Sequence, residues 1–315
     1  MTGPRDLGAS GLRVSPMVLG GNVFGWTIQD EAISHRVLDR FVDQGGTMID
    51  TADAYSAWVP GHKGGESESV IGRWLKASGK RNQVQIATKV GMMDAPAPLA
   101  RAKILAAADG SLARLGVETI DLYYAHQDDP DTPQEEVLAA FDTLIKAGKV
   151  RTIGASNFHA GRLKSALDVA TRESLPHYRV LQPLYNLISR HSFEGELQDL
   201  CVTHNIGVLP FYGLAAGFLT GKYRNAEDLK KGIRGERLTP MLTERNLEVL
   251  AVMDKVAAET GATLPQISLA WIAAQPGISA PIASATSVEQ LDELLGFREI
   301  SLTADQLDRL AAAGA

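Results

Sequence analysis

Short apolar segments alternate with amphipathic segments along almost the whole chain, and this alternation limits the folds that it can adopt. Eight short apolar segments alternate with longer segments in which apolar residues recur every three or four positions. The first pattern is typical of strands and the second of helices. Strict alternation predicts a parallel sheet with right-handed crossovers. Eight repeats in 315 residues favour a (β/α)8 TIM barrel over an open doubly wound sheet.

The predicted elements follow one another without a break. A small N-terminal β-hairpin is predicted over residues 7–14, with Ser-Gly at its turn. Thr132 and Glu135 have the spacing of a capping box, which predicts that a helix begins there, and extra helices are predicted near the C-terminus. No linker rich in Ser, Gly or Pro divides the chain, so we interpret residues 1–315 as one domain. The eight predicted strands cover residues 14–19, 47–51, 84–90, 120–124, 150–155, 180–185, 207–211 and 280–283.

The composition indicates a globular protein and excludes several classes of function. The net charge of −6 provides no basic surface, so we expect no nucleic-acid partner. Cys201 is the single cysteine, which excludes an internal disulfide and a thiolate metal cluster. The first residues lack the charged-then-apolar pattern of a signal peptide, and no apolar run is long enough to span a bilayer. We therefore expect a cytoplasmic protein with no membrane partner.

Several motifs with well-defined chemistry are absent. No two glycines are separated by a single residue, which excludes the dinucleotide fingerprint Gly-x-Gly-x-x-Gly. Residues 217–223 resemble a phosphate-binding loop, but the glycine spacing is one residue short and Tyr223 replaces Ser or Thr. The histidines form neither His-Glu-x-x-His nor His-x-His, so neither a zinc hydrolase nor another metal site is predicted.

Four polar residues lie at or just beyond the predicted ends of consecutive strands. Asp50, Lys89 and His126 end the second, third and fourth strands, and Tyr55 follows in the loop after the second. Adjacent strands are about 4.8 Å apart, so these residues can face one mouth of a barrel. Taken singly, each has a structural explanation: an Asx-type turn with a packed tyrosine, a lysine that reaches the rim, and a hydrogen-bonded histidine. A buried ammonium needs a counter-charge, which Asp50 can supply to Lys89.

Three segments around these residues resemble the aldo-keto reductase superfamily, a family of (β/α)8 nicotinamide-dependent oxidoreductases. They are Asp-Thr-Ala-x-x-Tyr at 50–55, Ala-Thr-Lys-Val-Gly at 87–91 and Asp-Leu-Tyr-Tyr-Ala-His at 121–126. The resemblance covers essentially the whole chain. It implies that Tyr55 donates a proton to the carbonyl oxygen and that His126 orients the carbonyl group. It also implies that Lys89, held by Asp50, lowers the pKa of the phenol.

Two further segments resemble the parts of the family that hold the nicotinamide. Gly-Ala-Ser-Asn-Phe at 154–158 implies that Ser156 and Asn157 bind the carboxamide group. Gln-Pro-Leu-Tyr-Asn at 182–186 implies a further carboxamide contact from Gln182.

The resemblance also suggests where the rest of the cofactor and the substrate bind. Phe211 and Leu214 belong to a Phe-Tyr-Gly-Leu segment in place of the family's Tyr-Ser-Pro-Leu, and Phe211 is expected to stack on the nicotinamide. Trp26 and Trp58 would lie above the mouth, where they either line an apolar substrate pocket or simply cover the barrel.

The adenosine end of the cofactor would lie across the loops after the last strands. Lys222 and Arg234 are candidates to bind phosphates, and Thr286, Gln290 and Glu293 are expected near the adenosine. Such cations suit a 2′-phosphate, so we expect NADPH to be preferred over NADH.

The resulting hypothesis is NADPH-dependent reduction of aldehydes or ketones to alcohols. One alternative is a nicotinamide-binding regulatory or channel-associated subunit with slow or vestigial redox activity. Another is a Schiff-base aldolase that uses Lys89, although this leaves the Ser-Asn and Gln segments unexplained. The sequence does not identify the carbonyl substrate, the direction of flux or the oligomeric state.

Overall fold

A parallel eight-stranded sheet forms the centre of the protein. The computed structural model describes residues 3–93, 96–231 and 236–314. The strand order is β10-β3-β4-β5-β6-β7-β8-β9, and every neighbouring pair is parallel. A parallel bridge between Val208 and Ile278, and a hydrogen bond of 2.9 Å from Ile282 N to Pro210 O, connect the two ends of the sheet. This confirms the predicted (β/α)8 TIM barrel.

The elements occur in the predicted order. The N-terminal hairpin consists of β1 (Arg5–Asp6) and β2 (Arg13–Val14). The strands of the sheet are β3 (Val18–Gly20), β4 (Met48–Asp50), β5 (Gln85–Val90), β6 (Ile120–Ala125), β7 (Val150–Ser156), β8 (Val180–Gln182), β9 (Gly207–Val208) and β10 (Ile282–Ala283). The helices are α1 (Glu31–Asp43), α2 (Glu66–Ser78), α3 (Arg101–Leu115), α4 (Gln134–Lys146), α5 (Ala160–Arg172), α6 (Glu196–Thr203), α7 (Glu244–Thr260), α8 (Leu264–Ala273), α9 (Val288–Leu295) and α10 (Ala304–Ala313). None of these helices is long and apolar enough to cross a membrane.

Several strands are shorter than predicted, and prolines explain much of the difference. β8 ends at Gln182, directly before Pro183, and β10 begins directly after Pro281. Proline has no N–H to donate to a sheet, so regular pairing stops beside it. The predicted capping box was also wrong: the Thr132 hydroxyl donates to Asp129 Oδ2 at 2.8 Å, and the helix begins only at Gln134.

The hairpin closes the N-terminal end of the barrel. Leu7, Leu12 and Val14 are buried and pack with the residues that point into the barrel. Those interior residues include Val18, Met48, Ala87, Leu122, Tyr124, Val180, Leu209, Ala280 and Ile282. Burying this apolar surface stabilises the barrel and leaves the polar residues gathered at the opposite end.

One glycine makes room for an aromatic ring in the barrel. Tyr124 lies on β6 directly opposite Gly154 on β7. A Cβ atom at Gly154 would lie 2.5 Å from two ring carbons of Tyr124 and 3.0 Å from Val180 O. The absence of a side chain at residue 154 therefore allows the Tyr124 ring to be buried in the barrel, beside Lys89.

We predict that Gly154→Ala lowers the free energy of unfolding by about 1–3 kcal/mol, because the added methyl group overpacks the barrel. Gly161→Ala is a suitable control, since a Cβ there meets only His159 at 3.6 Å and the position is helical. The control should change the free energy of unfolding by no more than about 0.5 kcal/mol, because the substitution is near the start of the helix and meets no close neighbour. Urea denaturation measures both, and equal stability of Gly154→Ala and the wild type would contradict the prediction.

Candidate active site

The carboxyl ends of five adjacent strands bring polar side chains together. Asp50 ends β4, Lys89 lies near the end of β5, His126 follows β6, Ser156 ends β7 and Gln182 ends β8. All five residues are buried. Parallel strands present their carboxyl ends at one face of a barrel, and the sequence predicted this placement for Asp50, Lys89 and His126.

A buried ion pair lies at the centre of this cluster. Lys89 Nζ donates to Asp50 Oδ2 at 2.6 Å, to the backbone oxygen of Thr51 at 2.8 Å and to Tyr55 Oη at 2.9 Å. The Lys89 side chain is completely buried, and the Asp50 side chain is 3% exposed. An ammonium group has three protons to donate, so these three acceptors fix its position fully. Asp50, Lys89 and Tyr55 therefore lie in hydrogen-bond contact at one mouth of the barrel, where the sequence placed them.

Burial and charge set the protonation of the pair and of the phenol. Burial lowers the pKa of Lys89, and the nearby carboxylates, led by Asp50, oppose this change. Burial, followed by the negative charge of Asp50, raises the pKa of Tyr55 well above its ordinary value. This direction is opposite to the lowered pKa that the resemblance implies. Tyr55 therefore keeps its proton at neutral pH.

His126 is a neutral imidazole beside the phenol. Burial, together with the positive charge of Lys89, lowers the pKa of His126 well below its ordinary value. The ring centroid lies 6.0 Å from that of Tyr55. Its Nδ1 atom is buried and has no hydrogen-bond partner in the part of the chain that the structure describes. A neutral imidazole carries one N–H, so it can donate a hydrogen bond to a carbonyl oxygen without transferring its proton.

Ser156, Asn157 and Gln182 form a polar row joined to this cluster. Ser156 Oγ donates to Gln182 O at 2.9 Å, and Asn157 Nδ2 donates to His126 O at 2.8 Å. The Gln182 side-chain amide donates to Asp50 Oδ1 at 2.8 Å. The three residues predicted to hold a carboxamide are therefore brought together at the mouth.

Two tryptophans form an aromatic rim beside Tyr55. The rings of Trp26 and Trp58 are nearly perpendicular, with centroids 5.3 Å apart, and Trp58 lies 6.3 Å from Tyr55. Trp58 is 45% exposed, so its ring surface is available to a ligand at the mouth. The structure thus places both predicted pocket residues at the site.

The described residues among the remaining cofactor predictions lie in loops after β9 and β10, except Gln290 and Glu293, which lie on α9. Thr286 Oγ1 donates to the Gln290 side chain at 2.7 Å, which links two of the predicted adenosine contacts. Glu293 is exposed, and Lys222 is exposed with its ammonium 4.9 Å from the centroid of the Tyr223 ring. Phe211 and Leu214 are partly buried after β9, and Arg234 lies outside the described residues.

The backbone after β9 makes a tight turn. Ala215, Ala216 and Gly217 have consecutive positive φ angles of 46°, 56° and 102°. Within this turn the N–H groups of Ala215 and Gly217 donate to Tyr212 O at 2.7 Å and to Leu214 O at 2.8 Å. Non-glycine residues adopt these angles at a cost, which is typical of functional loops. The polar row presents amide and hydroxyl groups that fit the carboxamide of a nicotinamide cofactor.

Sequence reasoning missed a buried carboxylate behind Lys89. Glu68 is fully buried and accepts hydrogen bonds from Thr88 Oγ1 and Arg114 Nε, both at 2.6 Å. Its charge opposes the lowering of the Lys89 pKa. The available signal was its position: Glu68 lies three residues before the buried Ile71 on the inward face of α2.

Comparison with known proteins agrees with this geometry. The family model for the aldo/keto reductase family matches residues 16–315. The chain belongs to the aldo/keto reductase family. It is therefore an NAD(P)H-dependent oxidoreductase, and its membership supports carbonyl reduction as the general reaction.

Curated relatives span most of the chain and carry different names. An L-glyceraldehyde 3-phosphate reductase of Escherichia coli (strain K12) is 32% identical over 302 residues, which cover 92% of this chain and 85% of the relative. An uncharacterized oxidoreductase of Bacillus subtilis (strain 168) is 34% identical, covering 96% of this chain and 93% of the relative. A probable voltage-gated potassium channel subunit beta of Oryza sativa subsp. japonica is 30% identical, covering 98% and 95%.

We predict that Asp50→Asn destabilises the protein by about 3–5 kcal/mol at neutral pH, because it leaves the buried ammonium of Lys89 without its counter-charge. Without its counter-charge, Lys89 binds a proton less readily in the folded state than in the unfolded state. The loss of stability relative to the wild type should therefore shrink as pH rises toward the ordinary lysine pKa. Urea denaturation at pH 6.5 and pH 9 measures this change.

The double variant Asp50→Asn/Lys89→Met removes both charges and serves as the control. It should recover most of the lost stability at pH 6.5, and the gap in stability between the single and double variants should narrow at pH 9, because the double variant has no buried ammonium to titrate. Equal destabilisation of the single and double variants would show that the ion pair does not govern stability here.

Proposed function

We propose that this protein reduces aldehydes or ketones to alcohols with NADPH, and that Tyr55 donates the proton. The observation that carries the proposal is the position of the Lys89 ammonium, which contacts Asp50 and Tyr55 within 3 Å beside the Ser156 to Gln182 row. A proton donor, a fixed positive charge and an amide-binding row on one mouth suit reduction of a carbonyl group.

Tyr55 and Lys89 have separate roles in the proton transfer. Bound NADPH would supply the hydride to the carbonyl carbon. Negative charge then develops on the carbonyl oxygen, and Tyr55 neutralises it by donating its phenolic proton. The developing alkoxide is a stronger base than phenolate, so a phenol with a raised pKa still transfers its proton favourably. Lys89 stabilises the phenolate that remains, at 2.9 Å from its oxygen.

His126 and the aromatic rim orient the substrate. The neutral imidazole donates a hydrogen bond to the carbonyl oxygen and so directs that oxygen toward Tyr55. Trp26 and Trp58 provide apolar ring surface for the rest of the substrate. Support for an aldehyde substrate comes from the Escherichia coli relative, which is named an L-glyceraldehyde 3-phosphate reductase.

The preference for NADPH rests on cations in the loops after the last strands. Lys222 is exposed and makes no ion pair in the described part of the chain, so its charge is available to a phosphate. Arg234 is the second candidate, and Thr286, Gln290 and Glu293 are proposed to meet the adenosine. Phe211 and Leu214 are proposed to pack against the nicotinamide end.

A second candidate function is a channel-associated regulatory subunit. The observation that favours it is the similarity to a rice protein named as a probable potassium channel subunit beta. A complete set of Asp50, Tyr55, Lys89 and His126 is compatible with slow chemistry in such a subunit. Rapid multiple turnover separates the two functions, because a regulatory subunit needs only to bind the cofactor.

We predict that Tyr55→Phe lowers kcat for an activated aromatic aldehyde by roughly 10²–10⁴-fold, since the proton donor is lost. Affinity for NADPH should change little, because the phenol hydroxyl is not proposed to bind the cofactor. NADPH oxidation followed at 340 nm gives kcat, and quenching of protein fluorescence gives the dissociation constant. If Tyr55→Phe keeps the kcat of the wild type, the phenol is not the proton donor.

We predict that Lys222→Met weakens NADPH binding by about tenfold, which is the loss expected for one charge-assisted contact to phosphate. Binding of NADH should be almost unchanged, because NADH lacks the 2′-phosphate. Fluorescence titration with both cofactors measures the ratio. An equal loss for the two cofactors would assign Lys222 to the shared pyrophosphate, and no loss for either would remove it from the site.

A further inference from the structure

The two oxygens of the Asp50 carboxylate have different partners. Oδ2 accepts from Lys89 at 2.6 Å and from the more distant Tyr55 hydroxyl at 3.4 Å. Oδ1 accepts from the side-chain amide of Gln182 at 2.8 Å. Asp50 and Gln182 are both buried, so water cannot easily replace this amide. The carboxylate is therefore held from two sides.

The amide bond to Oδ1 determines which way the carboxylate faces. A carboxylate with one anchored oxygen can rotate about its Cβ–Cγ bond, since this torsion has no sharp preference. Anchoring Oδ1 to Gln182 keeps Oδ2 directed at Lys89, and Lys89 in turn holds Tyr55 Oη at 2.9 Å. A loss of the amide donor would also leave a buried carboxylate oxygen without a partner, which is costly.

Gln182 is also connected to the other residues of the polar row. Its backbone oxygen accepts from Ser156 Oγ at 2.9 Å and from the Asn157 backbone N–H at 3.4 Å. Asn157 in turn contacts His126 O at 2.8 Å. One residue thus joins the row proposed to bind the carboxamide to the carboxylate that holds the proton donor.

We propose that Gln182 is a positioning residue for proton transfer: its amide orients Asp50, and through Lys89 it aligns the Tyr55 hydroxyl with the nicotinamide site. This inference rests on the proposed function. It assigns Gln182 an action on Asp50 in addition to a carboxamide contact. Misalignment of reacting groups by about 1 Å costs on the order of 10²-fold in rate, so this role should be measurable in kcat.

The variant Gln182→Glu tests this role because it nearly preserves shape and makes the donor depend on pH. A protonated carboxyl group at this position can donate to Asp50 Oδ1 as the amide does. When it ionises, two carboxylates face each other and the donor is lost. The introduced carboxyl group should titrate well above its ordinary value, because like charges at hydrogen-bond distance oppose its ionisation.

The expected result is a new pH dependence of kcat in Gln182→Glu. At low pH kcat should approach that of the wild type, and it should fall on the order of 10²-fold as the introduced carboxyl ionises. Gln182→Met never has a donor, so its kcat should be low at every pH. The dissociation constant of NADPH in Gln182→Glu should vary with pH much less than kcat does.

The same behaviour of the two Gln182 variants would overturn the proposal. If Gln182→Glu and Gln182→Met show the same pH-independent loss, or only the NADPH dissociation constant changes, Gln182 acts on the cofactor alone. Gln198→Glu is the matched control, since the side-chain amide of this glutamine on α6 donates to Pro276 O in an exposed hydrogen bond. It should show the wild-type pH profile.

Melting temperatures measured without NADPH test the contact between Gln182 and Asp50 independently of the proposed function. The introduced carboxyl has a raised pKa in the folded state, so the melting temperature of Gln182→Glu should fall relative to Gln198→Glu as pH rises through that pKa. Failure of all variants, including the wild type, to turn over NADPH would refute the proposed function. A melting temperature of Gln182→Glu that tracks the control at every pH would refute the Asp50 contact itself.

Discussion

The buried ion pair between Lys89 and Asp50 is the interaction on which the rest of the site depends. Two charges inside a barrel cost several kcal/mol each to desolvate, and only close pairing and full hydrogen bonding offset this cost. Here the ammonium satisfies all three donors and the carboxylate accepts on both oxygens. The pair therefore fixes the phenol of Tyr55 at the mouth, where a reacting carbonyl can reach it.

The barrel supplies what this pair requires. The hairpin and the apolar interior close the N-terminal end, so the polar side chains lie only at the other end. Gly154 admits the Tyr124 ring beside Lys89, whose ammonium is 5.8 Å from its centroid. Glu68 adds negative charge from α2 behind β5. Packing and electrostatics thus support one set of protonation states, with a charged lysine, a protonated tyrosine and a neutral histidine.

Much of this arrangement could be predicted from the sequence because it follows from local patterns. The alternation of short apolar segments with amphipathic segments predicted eight strands. The polar residues at the ends of these strands predicted that Asp50, Lys89 and His126 lie close together. A side-chain bond between strands that are not neighbours was beyond such reasoning: the Gln182 amide on β8 reaches Asp50 on β4, 132 positions away in the chain. For Tyr55 the resemblance implies a lowered pKa, whereas burial, followed by the negative charge of Asp50, raises it.

The central claim is that bound NADPH would deliver a hydride directly to the carbonyl carbon of the substrate. Mass spectrometry of the alcohol formed from an activated aromatic aldehyde, with NADPH dideuterated at C4 in ordinary water, tests it most directly. We predict one deuterium bound to the carbinol carbon. An alcohol without deuterium on that carbon, or no alcohol from a protein that binds NADPH, would contradict it.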